Sequence, residues 1–423
     1  MEGAPHDMKI LNVSAQKPDS TGSGVYLAQT VRCELAAGHE AAVVCGIDAD
    51  EECVLPQGAQ AFPVRFNTDE LPFDVVGMSD EMPYPATRYR DLTPRMTWLF
   101  MHAFARRIEQ ARIEFRPDVI VCHHLYLVTA VASVCAEDEP VFAVCHSTDL
   151  RQMRTHDLQR FFILNNIRDL AGIFALHEAQ AAEIVKVYGC EPGLVQVLGT
   201  GYDAAVFHRD GRRTANDADA EAADDSQPDA QDDGGLSVLY AGKIWTKKGV
   251  LSLLEAFDLL ECGGSARLLL AGGAGEAAEY KRIANRAARC TRPVELLGRL
   301  TPEALAERYR AADVFVLPSF YEGLPLVVVE ALACGCRVVV TDLPGIRPWL
   351  ERALPGAPIV YVAPPRMIDV DTPREEDLPA FEQRLARAIE QAAALPPCTL
   401  DMSALSWEGL TARLVDAMRP FAQ

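Results

Sequence analysis

Short apolar runs recur along this chain, each closed by a polar break bearing glycine, proline or serine, with helical apolar spacing in many of the stretches between them. Runs of this length rich in Val, Leu, Ile and Phe predict buried strands, and the intervening stretches predict helices. In the first half, strands are expected at 9–13, 41–45, 119–122, 141–145, 173–176 and 194–198, with helices at 25–37 and 96–115. In the second half, strands are expected at 236–240, 268–271, 294–297, 314–317 and 337–341. Helices there follow Gly249, occupy 325–334, and return at 380–395 and 407–417. The clearest unit is 312–342. Val314, Phe315, Val316 and Leu317 form its strand and 318–323 break it. Pro325 opens a helix, because its fixed φ and missing N–H cost least in a first turn. Gly335 closes that helix.

The alternation of strand and helix in both halves predicts an α/β protein with two Rossmann-like parallel-sheet domains facing across a cleft. A length of 423 residues also exceeds what one core supports. The domains are placed at 1–205 and 236–404. Between them, 206–235 is acidic, alanine-rich and almost without large apolar side chains, which predicts a disordered linker or insertion. Residues 55–95 are proline-rich and read as one long irregular loop, a length uncommon unless the loop is functional.

Two carboxylates stand out. Glu322 lies in a loop at the carboxyl end of a strand, where open α/β sheets bind ligands. Glu330 lies within the next helix beside Leu326, Val327, Ala333 and Cys334, and an acid on such a face is costly unless something pairs with it. Read singly, one is a solvated loop acid and the other a salt-bridged helix residue. Together they sit on one strand–loop–helix whose helix N-terminus favours negative charge between them. Lys243 and Lys248 occupy a strand end and helix start, against the preference for acids in a first helical turn. A bound diphosphate would account for them; solvated surface lysines remain the alternative.

Three histidines end apolar runs, His123 and His124 after the strand at 119–122 and His146 after that at 141–145, so they fall at the ligand edge of a parallel sheet. With Cys122 and Cys145 they suggest a metal site. Adjacent strand residues point to opposite faces, however, and no paired Cys-x-x-Cys spacing supports zinc, so no metal is expected. Asp149 is a further site candidate or a cap for the following helix. Gly22 and Gly24 follow the first strand, where backbone approaches a phosphate or a sugar, or simply turns.

The net charge of -20 argues against nucleic acid as a partner, and no apolar run reaches the length of a membrane helix. A local basic patch would still permit peripheral membrane contact. The N-terminal residues lack the pattern of a signal peptide, and the twelve cysteines are scattered singly, which suits a reduced cytoplasmic setting.

The stretch Pro318, Ser319, Glu322, Gly323, Glu330, Ala331, Ala333, Cys334, Gly335 resembles the signature of the family 4 retaining glycosyltransferases, whose fold is GT-B. The resemblance implies that Glu322 holds donor-sugar hydroxyls and Glu330 the ribose of a nucleotide. Gly323, Leu324, Pro325 and Leu326 would line the same donor site. Lys248 matches the family's lysine for the leaving diphosphate. Lys243 replaces its usual arginine and loses the bidentate fork while keeping the charge. Gly273, Arg299 and Leu300 stand in strand-end loops that lie against the nucleotide in the family. Gly22 and Gly24 match its glycine-rich first loop. His146 matches a histidine near the reacting end of the donor sugar, and His123 and His124 become acceptor-side candidates with Asp149. The helix within 405–423 resembles the terminal helix that packs back on the first domain.

The implied activity is retaining transfer of a sugar from a nucleotide-diphosphate sugar to an unidentified sugar, lipid-linked or small-molecule acceptor, with no further cofactor. A sugar-nucleotide epimerase of the same fold is the alternative. A dinucleotide oxidoreductase is a weaker one, since Leu27 stands where Gly-x-Gly-x-x-Gly needs its third glycine.

Overall fold

Every expected apolar run lies in or beside a strand of one of two wholly parallel sheets. The computed structural model describes residues 7–18, 20–79, 82–210, 235–261, 265–274, 276–322, 324–369 and 371–422. Gly323 and most of the acidic linker, 211–234, lie outside them. The chain divides into Met1–Gly201 with Trp407–Gln423, and Tyr202–Ser406.

The first unit runs β1 (Lys9–Ser14), α1 (Gly22–Ala36), β2 (Glu40–Asp48), β3 (Gln60–Phe66), the two-residue β4 (Val76–Gly77) and β5 (Thr87–Arg88), then α2 (Pro94–Phe115) and β6 (Val119–His123). It continues through α3 (Leu127–Cys135), β7 (Val141–Val144), α4 (Thr148–Thr155), α5 (Arg160–Arg168), β8 (Gly172–Ala175), α6 (Glu178–Tyr188) and β9 (Val195–Val197). The sheet order is β3-β2-β1-β6-β7-β8-β9. The stretch 55–95 is therefore not one loop, because 60–66 pairs with β2 as an edge strand. Pro63 within it removes one ladder donor, which an edge position tolerates.

Alternation along β1 sends Leu11 and Val13 into the core with α2 and α3, and Ile10 and Asn12 to the opposite face. That second face is covered by α1 and by the terminal helix, to which the chain returns after the second unit.

The second unit runs β10 (Leu236–Ala241), α7 (Val250–Asp258), β11 (Ala266–Ala271), α8 (Ala277–Ala287), β12 (Val294–Gly298), α9 (Pro302–Ala311), β13 (Val314–Leu317), α10 (Leu326–Ala333) and β14 (Arg337–Thr341). It closes with α11 (Ile346–Ala353), β15 (Ile359–Val362) and α12 (Leu378–Ala393). The order is β12-β11-β10-β13-β14-β15. The apolar pattern predicts neither α11 nor β15. Pro325 stands at the cap position and the helix begins at Leu326. The chain then returns to the first unit as α13 (Trp407–Met418), where Trp407, Leu410, Leu414 and Met418 pack with Tyr26 of α1 over Ile10, Val121 and Val144.

Candidate functional site

Each sheet reverses its strand order once, between β1 and β6 in the first unit and between β10 and β13 in the second. Crevices outside the carboxyl ends of strands at such points are where open α/β sheets take ligands. Glu322, Lys243 and Lys248 lie at the second of these places and the three histidines at the first, while Gly273, Arg299 and Leu300 follow the neighbouring strands β11 and β12.

In the second unit the loops after β10 and β13 are stitched together. The Phe320 N–H donates to the Lys247 carbonyl at 3.2 Å. Gly249 has φ +72, and a Cβ there would lie 2.0 Å from the Pro318 carbonyl oxygen. Lys248 Nζ pairs with Glu322 Oε1 at 2.8 Å and lies 3.5 Å from the Tyr321 carbonyl oxygen. Both side chains are mostly shielded, so the pair is held at the strand ends. Lys243 is exposed and turns elsewhere: its Nζ lies 4.1 Å from the centre of the Trp245 ring. This cation–π contact holds the ammonium without neutralising it.

The loops after β10, β11 and β12 also press on one another. The Gly272 N–H donates to the Gly298 carbonyl at 2.7 Å, and the Ile244 N–H to the Gly273 carbonyl at 3.0 Å. A Cβ at Gly273 would come 2.3 Å from Arg299 Nε. Arg299 is exposed and Leu300 half-buried. Leu324 and Leu326 are half-buried and Pro325 is buried. The α10 N-terminus has no side-chain cap. Glu330 points to Tyr309, whose hydroxyl donates to Oε2 at 3.5 Å. Burial pushes the Glu330 carboxyl up to about 7, and the Tyr309 hydroxyl only partly offsets this.

In the first unit His123, His124 and His146 converge with Tyr26. The His146 ring stands 5.1 Å from Tyr26 edge-on, 4.9 Å from His124, and 5.7 Å from His123 in near-parallel planes. Burial holds the imidazole of His146 neutral, pushing it down to about 3, and lowers His123 and His124 well below their usual value. His124 Nε2 meets Ser23 Oγ at 2.9 Å, and Ser23 in turn donates to Gln16 Oε1 at 3.2 Å. His124 at φ +78 and Ser147 at φ +73 sit in the left-handed region, where non-glycine residues carry strain. Such strain at the ends of β6 and β7 marks the site independently of its chemistry.

Asp149 resolves differently from an acceptor contact. It is fully buried, and its oxygens accept from the N–H groups of Leu125 at 2.8 Å, His146 at 3.1 Å and Leu150 at 3.1 Å, and from Cys145 Sγ at 3.2 Å. It joins the ends of β6 and β7 and positions His146. Gly22 and Gly24 belong to the first turn of α1, which Thr21 caps through the Gly24 N–H at 3.1 Å. Nothing lies within 4 Å of a Cβ at Gly22, so no close packing requires glycine there.

Further residues join the site that no local motif singles out. Asn12 Nδ2 donates to Glu34 Oε2 at 2.9 Å, and Asn12 Oδ1 faces His123 Nε2 at 3.3 Å. All three are buried. The sequence does carry their signals: a polar residue inside an apolar strand run, and an acid on the covered side of a helix. Among the described residues no group of three His, Cys, Asp or Glu converges as a metal site, and no helix is long and apolar enough to cross a membrane.

Comparison with known proteins follows the same division. Residues 20–206 match the model described as Glycosyltransferase Family 4, and 235–369 that described as Glycosyl transferases group 1. Alpha-maltose-1-phosphate synthase of Mycobacterium tuberculosis is 29% identical over 231 residues, 53% of this chain and 54% of that protein. The chain thus spans about half the length of this relative. Glycogen synthase of the same organism is 25% identical over 410 residues, covering 91% of this chain and 90% of its own. The structure of Anabaena HepE in complex with UDP superposes with a TM-score of 0.59 at 16% identity, covering 98% of this chain and all of that one (100%). With two parallel α/β units in the chain order of this fold, matched on both sides of residue 206, the chain belongs to the family 4, group 1 glycosyltransferases of GT-B fold.

Proposed function

We propose that this chain moves a sugar from a nucleotide-diphosphate sugar to an acceptor hydroxyl, with retention of anomeric configuration and without a metal, in the cytoplasm. The observation that carries this reading is the Lys248–Glu322 pair across the β10–β13 reversal, beside an α10 N-terminus that has no side-chain cap. A cation, a carboxylate and a helix end are what a sugar diphosphate requires, since the diphosphate takes the positive groups and sugar hydroxyls take the acid.

In this reading Lys248 and Lys243 meet the diphosphate, Glu322 the donor-sugar hydroxyls and Glu330 the ribose. Gly273, Arg299 and Leu300 border the nucleotide, as do Leu324, Pro325 and Leu326. His146, held neutral, offers an acceptor nitrogen to the sugar, while His123 and His124 stand on the acceptor side. The bond from the anomeric carbon to the leaving phosphate oxygen breaks, and the acceptor oxygen forms its bond on the same face. The acceptor's proton passes to that phosphate oxygen. Charge grows on the diphosphate as this proceeds, so the cations act most strongly at the transition state. They supply the field that a metal supplies in other transferases. UDP bound to HepE supports a nucleotide donor.

The test is thermal stability against UDP, GDP, ADP and their sugars, with Glu330→Ala alongside. A ligand at 100 times its Kd stabilises by about 2.7 kcal/mol. A shift with one nucleotide, lost in the variant, supports the reading. A shift with NAD(P) alone overturns it, and an inverted anomer in the product overturns retention.

A further inference from the structure

Among the buried polar atoms of the described residues that lack a hydrogen-bond partner, four in the first unit belong to one cluster: His146 Nε2, His123 Nδ1, the Tyr26 hydroxyl and Glu34 Oε1. Buried polar groups are rarely left so, and a concentration of them at one place calls for an account. The cluster lies on the face of the sheet covered by α1 and α13.

The partnered atoms fix its polarity. With Glu34 Oε2 accepting, as an ionised carboxylate or with the proton on Oε1, the Asn12 amide turns Nδ2 toward it. Asn12 then presents Oδ1, an acceptor only, to His123 Nε2 at 3.3 Å. The His123 ring is neutral, because burial and the neighbouring His146 both disfavour its charge. A neutral ring facing an acceptor with Nε2 carries its proton there, so Nδ1 is a bare lone pair.

We propose that Glu34 and Asn12 are positioning residues for His146: they lock His123 in its Nε2–H tautomer, so that His123 Nδ1 offers an acceptor to the buried space it shares with Tyr26 and His146. That lone pair requires a donor. A His146 ring protonated on Nε2 presents that donor from the neighbouring ring, 5.7 Å away centre to centre. The remaining nitrogen of the partly exposed His146 ring, Nδ1, is then the acceptor for a substrate hydroxyl. The tautomer chain is independent of the reaction, whereas its catalytic consequence rests on the transfer reaction proposed above.

Histidine labelled with nitrogen-15 reports the tautomer directly, with no substrate present. The His123 signals are identified by their loss in His123→Gln. Wild-type protein should show the Nε2–H tautomer at His123. Glu34→Gln keeps an acceptor toward Asn12 and should retain it, whereas Glu34→Leu releases the Asn12 amide and should mix the tautomers. Melting curves establish that each variant is folded. With the donor that the wild type uses, Glu34→Leu should lower kcat at least tenfold with the KM for that donor nearly unchanged, and Glu34→Gln should restore it. An Nδ1–H tautomer in the wild type, or no spectral change in Glu34→Leu, overturns the chain. A tautomer change with unaltered kcat reduces it to a structural feature and overturns the positioning role. If the wild type turns over no sugar nucleotide, the reaction and the positioning role both fail, while the spectra still decide the tautomer chain.

Discussion

Lys248 Nζ and Glu322 Oε1 stand 2.8 Å apart and join two loops that are 74 residues apart in sequence. Each group holds the other in place before any ligand arrives. Lys248→Ala should therefore lower kcat by roughly 10²–10³, as loss of a preorganised donor to developing charge does. The pair is partly open to water, so stability should fall by only about 1 kcal/mol. Steady-state kinetics with urea unfolding checks both. A fall in stability with unchanged kcat would make the pair purely structural.

Glu330 is raised to about 7 by burial, and its pH dependence has a definite sign. The folded protein binds this proton more tightly than the unfolded chain. The resulting stability is complete below the unfolded value near 4.5 and is lost as pH rises through about 7. Glu330→Gln does not titrate. Between pH 5 and 8 the wild type should lose about 2–3 kcal/mol more than the variant, read from urea midpoints. Equal slopes would show that Glu330 is ionised at little cost.

The neutral histidines act in the opposite direction. His146 is lowered to about 3 by burial, so the stability it contributes is present above its unfolded value of 6.5 and fades as pH falls toward 3. His146→Gln should flatten acid unfolding on that side of neutrality while leaving the alkaline side unchanged. Acid denaturation followed by circular dichroism distinguishes the two.

Asp149→Ala would strand three backbone N–H groups, those of Leu125, His146 and Leu150. Losing one partner of a buried bond costs about 1–3 kcal/mol, so the total should reach about 3 kcal/mol or more. The ring of His146 should shift with its loop, lowering kcat as well. A variant as stable as wild type would contradict the burial described for this carboxylate.

Two glycines should respond oppositely to alanine. Gly249→Ala meets the Pro318 carbonyl oxygen at 2.0 Å with φ at +72 and should lose about 2–4 kcal/mol. Gly22→Ala meets nothing within 4 Å in a first helical turn and should gain up to about 1 kcal/mol. Melting temperatures of the two variants check this.

Local pattern encodes much of this arrangement. The runs at 314–317 and 337–341 coincide with β13 and β14, because uninterrupted Val and Phe suit a strand buried on both faces. β3 has no such signature, since Pro63 and Arg65 break its pattern, which only its edge position permits. Pro348 near the start of α11 masks that helix, although Ile346, Trp349 and Leu350 mark a buried face. The lysine and glutamate at the β10–β13 reversal can each be named from residue type and local pattern. Their pairing, and the Asn12–Glu34–His123 chain, depend on which strands are neighbours, and local periodicity does not encode that. Glu34 is open to the same reasoning that singles out Glu330, an acid on a covered helix face.

The return of the chain at Trp407 bears on the order in which the protein can be made. Tyr26 and the sheet face beneath α1 are covered by a helix that leaves the ribosome only after residues 202–406 have emerged. The segment translated first is therefore finished last. Until then its apolar face, with Ile10, Val121 and Val144, waits exposed while the later unit folds to completion. A nascent chain stalled shortly before Trp407 should be a strong client for chaperones, and one released from the ribosome after Met418 a weak one.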